Sequence, residues 1–122
     1  MAKILIVDDS KVVRMQVCQI LQDLGHEVLE AEDGEMGLDI AQQHSDFDLI
    51  LSDYNMPGMD GLKMLEMISE TTENRNSFYG LLTTESSPSL KAKGKAIGVG
   101  VWIVKPVDNK KLIKITETIF SR

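Results

Sequence analysis

Five short runs rich in β-branched and apolar residues alternate with five segments of helical spacing, and this alternation restricts the fold more than anything else in the chain. The predicted strands are Lys3–Val7, Glu27–Ala31, Leu49–Ser52, Tyr79–Thr83 and Val101–Val104. The first, third and fifth are continuous apolar runs, as strands covered by helices on both faces should be. Between them Val13, Val17, Ile20, Leu21 and Leu24 recur at helical spacing before Gly25. Asp33-Gly34 opens a second helix carrying Leu38 and Ala41 inward, and Asp60-Gly61 a third with Leu62, Leu65 and Ile68. Pro88 suits the first turn of a fourth helix, which runs to about Ile97 before Gly98, while Leu112, Ile115 and Ile119 mark the last. A strand–helix unit repeated five times implies an α/β, doubly wound parallel sheet with right-handed crossovers. With 122 residues there is room for one domain. A TIM barrel, which needs about 250 residues, is excluded.

In such sheets ligands bind at the carboxyl ends of the strands, near the switch in strand order. Four strand ends here are polar: Asp8 and Asp9 after the first, Asp53 after the third, Thr83 on the fourth and Lys105-Pro106 after the fifth. Two carboxylates ~4 Å apart repel by roughly 4 kcal/mol at an effective dielectric near 20. Three of them therefore call for a cation or a proton. A hard divalent ion with oxygen ligands answers this, and Mg²⁺ suits carboxylates, a carbonyl and a phosphate. A carboxylate can also carry a phosphoryl group as an acyl phosphate. Asp53, ending a central strand, is the best nucleophile of the set, with the Lys105 ammonium and the Thr83 hydroxyl available to the phosphoryl oxygens. His26 and His44 fall in predicted loops or helix ends and read as exposed surface residues, and no Cys/His cluster suggests zinc.

Charge narrows the partners. A net charge of −6 argues against a nucleic-acid face, and the lysines at 91, 93, 95 and at 110, 111, 114 read as solvated helix faces. No apolar stretch approaches the ~20 residues that span a bilayer, and Met1-Ala2-Lys3 leads directly into a strand without a signal peptide. The sole cysteine, Cys18, lies in a predicted helix as a small buried or half-buried thiol. A cytoplasmic, monomeric protein without membrane attachment is expected. The chain ends at Ser121-Arg122 directly after the last helical pattern, so residues 1–122 read as a single domain with no output domain.

Asp8-Asp9, Asp53, the turn Met56-Pro57-Gly58-Met59-Asp60-Gly61, Thr83 and Lys105-Pro106 together resemble the receiver domain of two-component response regulators along the whole chain. The resemblance implies the flavodoxin-like, CheY-like sheet of order 2-1-3-4-5. It also implies that Asp53 accepts phosphate from a histidine kinase. Asp9, Asp53 and the Asn55 carbonyl would ligate Mg²⁺ (Mn²⁺ substituting), with Asp8 acting largely through water. Thr83 and Lys105 would bind the phosphoryl oxygens, and the peptide bond before Pro106 would be cis.

Leu82 to Pro88, Gly94-Lys95 and Trp102 to Pro106 further resemble the CheY chemotaxis regulators. That likeness implies a chemotaxis-type kinase, a possible phosphatase, and phosphorylation-dependent binding to the flagellar motor switch or another target. Asn55 and Glu85 match the positions that tune self-dephosphorylation, and Thr83 with Trp102 matches the switch pair, with Trp102 where Tyr or Phe is commoner. Thr84, Val99 and Val107 stand where a smaller residue, Ala and Phe are usual. A phosphorelay intermediate or phosphate sink is the alternative within signalling. A phosphate hydrolase of the haloacid dehalogenase type is disfavoured, because the acid it needs two residues after the nucleophile is Asn55 after Asp53 and Ser10 after Asp8. Flavodoxin itself is disfavoured for want of a Ser/Thr/Gly-rich loop after the first strand.

Overall fold

The computed structural model describes residues 1–120, apart from the Arg75 side chain; Ser121 and Arg122, on which the reading of the chain's end rested, lie outside the described residues. Five parallel strands, β1 (Lys3–Val7), β2 (Glu27–Ala31), β3 (Leu49–Ser52), β4 (Phe78–Thr83) and β5 (Val99–Val104), form one sheet of order 2-1-3-4-5. The helices are α1 (Lys11–Asp23), α2 (Gly34–Gln43), α3 (Gly61–Thr71), α4 (Pro88–Ile97) and α5 (Asn109–Phe120), with a 3₁₀ turn at Asn74–Asn76.

Strand alternation divides the interior into two cores. Leu5, Val7, Ile50, Tyr79 and Leu81 face α2, α3 and α4, where Ala41, Met64, Leu65, Ile68 and Leu90 meet them. Ile4, Ile6, Leu49, Leu51, Leu82 and Ile103 face the other way, against Val17, Cys18 and Leu21 of α1 and Leu112 of α5. Both faces of β1 and β3 are covered, so their sequences carry no polar alternation. Each fully buried Leu or Ile contributes about 1.5–3 kcal/mol relative to exposure.

The helices begin where side chains can satisfy their free N–H groups. Ser10 accepts from Val13 N–H, Asp33 from Met36, Asp60 from Lys63 and Ser87 from Leu90. Two of them end on a glycine in the left-handed region: Gly98 caps α4 at φ 109° and Gly25 follows α1 at φ 91°.

Three expectations are corrected. β5 starts at Val99, not Val101, because the strand bulges. Tyr79 pairs with Val99 and Gly80 with Val101, leaving Gly100, which lay outside the expected strand, as the extra residue. On α5 Leu112 is buried as expected, but the other buried position is Thr116, 1% exposed, while Ile115 and Ile119 are only half-buried. Thr116 tolerates burial because its hydroxyl donates back to the carbonyls of Leu112 and Ile113 at 3.1 and 2.9 Å. Both histidines are half-buried rather than exposed. His26 Nδ1 accepts the Ala2 N–H at 3.0 Å, and His44 Nδ1 lies 2.9 Å from Lys3 Nζ, so each ties the start of β1 to a neighbouring loop.

Cys18 is buried, and burial, followed by the nearby Glu30 carboxylate, pushes its thiol up to about 11. At pH 8 roughly one molecule in a thousand would then carry the thiolate. Iodoacetamide should label the native protein very slowly and the unfolded protein readily. Stoichiometric labelling of the native form at the unfolded rate would contradict this burial.

Candidate functional site

The change of direction in strand order lies between β1 and β3, and both strands end there on aspartates. Asp8 continues β1 for one residue, its N–H donating to the Ala31 carbonyl at 3.1 Å. Asp53 does the same for β3, donating to the Val7 carbonyl at 2.9 Å. The backbone ladder thus brings two carboxylates side by side before any side-chain interaction is counted. Asp8 is fully buried and Asp53 is 6% exposed, whereas Asp9 stands in solvent. One carboxylate oxygen from each of the three lies within 4.8 Å of the others.

Lys105 reaches into this cluster from the end of β5. Its backbone N–H donates to the Thr83 carbonyl at 2.9 Å, which fixes its position opposite β4. Its ammonium lies 2.8 Å from Asp8 Oδ2 and donates to Asp53 Oδ2 at 3.0 Å. The Lys105–Pro106 peptide bond is cis. Burial pulls the Lys105 ammonium toward lower pKa, but its bonds to Asp8 and Asp53 outweigh that and leave it above its ordinary value. For Asp8 the balance falls the other way. Desolvation raises its carboxyl, and Lys105 and the Ser10 N–H, which donates to Oδ1 at 2.8 Å, offset only part of that.

Asp8 Oδ2 is the informative atom. Its one close partner is the Lys105 ammonium, and among the described residues no other donor reaches it. A carboxylate oxygen has more than one lone pair, so a single ammonium leaves a coordination direction free. A buried carboxylate oxygen with spare coordination, beside two further carboxylates, fits a hard divalent cation.

Around this centre the other candidates divide. Asn55 is drawn in by its N–H, which donates to Asp53 Oδ1 at 3.4 Å, and its side-chain amide donates to Glu85 Oε1 at 3.2 Å. The two exposed side chains thereby meet beside the turn that follows Asp53. Thr83 is fully buried at the end of β4, and its hydroxyl accepts the Glu85 N–H at 3.3 Å. Trp102 does not enter the carboxylate cluster. It is half-buried on β5, opposite Leu81, and its indole N–H donates to the Glu85 carbonyl at 3.0 Å. Lys91 lies over its ring, 5.9 Å from the centroid. Of the three unusual residues, Thr84 is exposed while Val99 and Val107 pack against the two cores.

Two supporting residues escaped the sequence reading. Ser52, fully buried, donates its hydroxyl to the Asp53 carbonyl at 2.8 Å. Gly61 lies against that same carbonyl, so closely that a Cβ at position 61 would fall 2.0 Å from the oxygen. The only signal for Ser52 was a polar residue closing an apolar run. For Gly61 it was the Asp60-Gly61 pair, which reads equally well as a helix start.

Residues 4–117 match the model of the response regulator receiver domain. Protein PilH of Pseudomonas aeruginosa is 33% identical over 99% of this chain and 99% of its own length. Chemotaxis protein CheY-3 of Vibrio cholerae is 36% identical, covering 98% of this chain and 92% of that protein. Among solved structures, chemotaxis protein CheY4 of Vibrio cholerae superposes with a TM-score of 0.91 at 41% identity, covering 98% of this chain and 99% of that one. Among the described residues no helix is long and apolar enough to cross a membrane.

Proposed function

The chain belongs to the response regulator receiver family, and we propose that it is a chemotaxis-type signalling switch that takes a phosphoryl group on Asp53 from a histidine kinase. The observation that carries this reading is the Lys105 ammonium held between Asp8 and Asp53 at 2.8 and 3.0 Å, where it can pass to an incoming phosphoryl oxygen.

Asp53 acts as nucleophile: one carboxylate oxygen bonds to phosphorus, the bond from phosphorus to the donor imidazole breaks, and its electron pair leaves with the histidine. The side chains of Asp9 and Asp53 and the Asn55 carbonyl would hold Mg²⁺, or Mn²⁺ in its place, with Asp8 acting largely through water. When bound, the ion neutralises charge on the transferring phosphoryl oxygens. Lys105 contributes a point charge to the same oxygens and the Thr83 hydroxyl a directional hydrogen bond. The hydroxyl donates there while it goes on accepting the Glu85 N–H, and so draws that residue along. The β4–α4 loop shifts with it and carries the Glu85 carbonyl that holds Trp102. The signal then reaches the surface of α4, β5 and α5. The Asn55–Glu85 pair, beside the turn after Asp53, controls water access, and so the rate at which the acyl phosphate hydrolyses itself.

Relatives named for chemotaxis support a phosphorylation-dependent target of the motor-switch kind and a kinase of the chemotaxis type, with a phosphatase as a further partner. The similarity to PilH supports a second reading, a relay intermediate or phosphate sink in another two-component pathway.

Phosphoramidate with Mg²⁺ tests the reading directly. One hydroxylamine-labile phosphoryl group per chain is expected, together with a change in emission from Trp102, the sole tryptophan. No uptake, or a hydroxylamine-stable adduct, would overturn it. Rapid decay of the adduct favours the chemotaxis reading and a persistent adduct the relay.

A further inference from the structure

We infer that Arg14 and Glu30 form a brace that positions the Asp8-Asp9 turn for its divalent cation, so that both are positioning residues for a metal they never touch. The inference rests on the metal reading of the carboxylate cluster.

Arg14 lies on α1, and its guanidinium makes two separate commitments. Nη1 donates to the backbone carbonyl of Asp8 at 2.6 Å, and Nε donates to Glu30 Oε1 on β2 at 3.0 Å. The Arg14 side chain is only 12% exposed, against 54% for Glu30. Holding a guanidinium so far from water costs free energy that a single exposed ion pair would not return. The planar fork recovers it by satisfying both acceptors with little further loss of freedom.

The carbonyl that Arg14 grips belongs to the residue whose side chain carries the spare buried oxygen. Beyond that carbonyl the chain turns immediately into Asp9. Three constraints then act on one residue: its N–H on the Ala31 carbonyl, its Oδ1 under the Ser10 N–H, and its carbonyl under Arg14. Together they set the peptide plane between Asp8 and Asp9, and with it the direction in which the exposed Asp9 carboxylate leaves the chain. Glu30 pairs with Ile6 in the β1–β2 ladder, so the brace is anchored on the sheet rather than on a loop. The group that aims a metal ligand is typically worth 10–100-fold in metal affinity. Arg14 stands in that relation to Asp9 through the backbone of Asp8.

The test is Mg²⁺ binding by calorimetry to the unphosphorylated protein, with circular dichroism confirming that each variant is folded. Arg14→Ala and Glu30→Ala should each weaken Mg²⁺ binding about tenfold. The double variant should lose little more than either alone, because both act through one guanidinium. Glu30→Gln, which keeps an acceptor for Nε, should bind within about twofold of wild type. If Arg14→Ala does not fold, Arg14→Lys serves in its place: an ammonium lacks the fork, and a clear loss of affinity is still expected. Unchanged affinity in a folded Arg14 variant would overturn the brace, as would a double-variant loss equal to the product of the single losses. A wild-type protein that shows no Mg²⁺ binding would strike the metal reading itself, and the brace with it.

Discussion

Asp53→Asn should yield a folded protein that takes up no phosphoryl group from phosphoramidate, with labelling reduced roughly a thousandfold or more, about 4 kcal/mol of lost transition-state stabilisation. The amide has the same shape as the carboxylate and keeps an oxygen for the Asn55 N–H, so the surrounding hydrogen bonds persist. It lacks the anionic oxygen that attacks phosphorus. Lys105 would give up one ionic partner and retain Asp8, which sits at 2.8 Å. Removing one of three crowded carboxylates also relieves repulsion, so thermal stability should hold or rise while Mg²⁺ affinity falls. Intact-protein mass spectrometry after phosphoramidate treatment, beside a melting curve, checks both halves. Labelling retained at another residue would remove Asp53 from the role of phosphoacceptor.

Gly61→Ala should be among the most damaging single-methyl additions in the chain. The new Cβ would lie 2.0 Å from the Asp53 carbonyl oxygen, 2.9 Å from its carbonyl carbon and 3.0 Å from Ser52 Oγ. Two of these atoms are backbone, so relief requires α3 or the Asp53 turn to move, not a side chain to rotate. Overpacking costs about 1–3 kcal/mol where side chains can adjust, and here the upper end or beyond is expected. In a domain of this size that corresponds to a melting temperature lower by roughly 10 °C. Any movement that relieves the clash also displaces the Asp53 backbone, so phosphorylation should slow in whatever fraction remains folded. Melting within about two degrees of wild type would show that α3 and the Asp53 turn are not held in contact as described.

The same glycine explains what a sequence can and cannot disclose here. Strand ends, helix starts and acid positions are properties of side chains, and they left a pattern: Asp8, Asp53, Thr83 and Lys105 each close an apolar run. The parallel order 2-1-3-4-5 followed from the family resemblance carried by those same residues. Contacts made to backbone carbonyls left almost no pattern. Gly61 and Ser52 converge on the Asp53 carbonyl, Arg14 grips that of Asp8, and Trp102 bonds to that of Glu85. Every residue offers the same acceptor, so nothing in its letter announces that it will be chosen. The β5 bulge was hidden for a related reason. Gly100 between two valines interrupts the apolar run, and only the pairing of Tyr79 with Val99 shows it to be the unpaired residue of a longer strand.

Glu85 bonds in two directions, by its carboxylate to Asn55, whose own N–H reaches Asp53, and by its carbonyl to Trp102 on β5. On the reading proposed for Asp53 and Trp102, the persistence of a message and its legibility at the surface share this one residue. On that reading a displacement of the loop that parts Glu85 from Asn55 would also loosen the indole, and a form of the protein that forgets quickly would be one that speaks less distinctly. Separating memory from volume in this molecule would require changing the Glu85 side chain while leaving its backbone where it is.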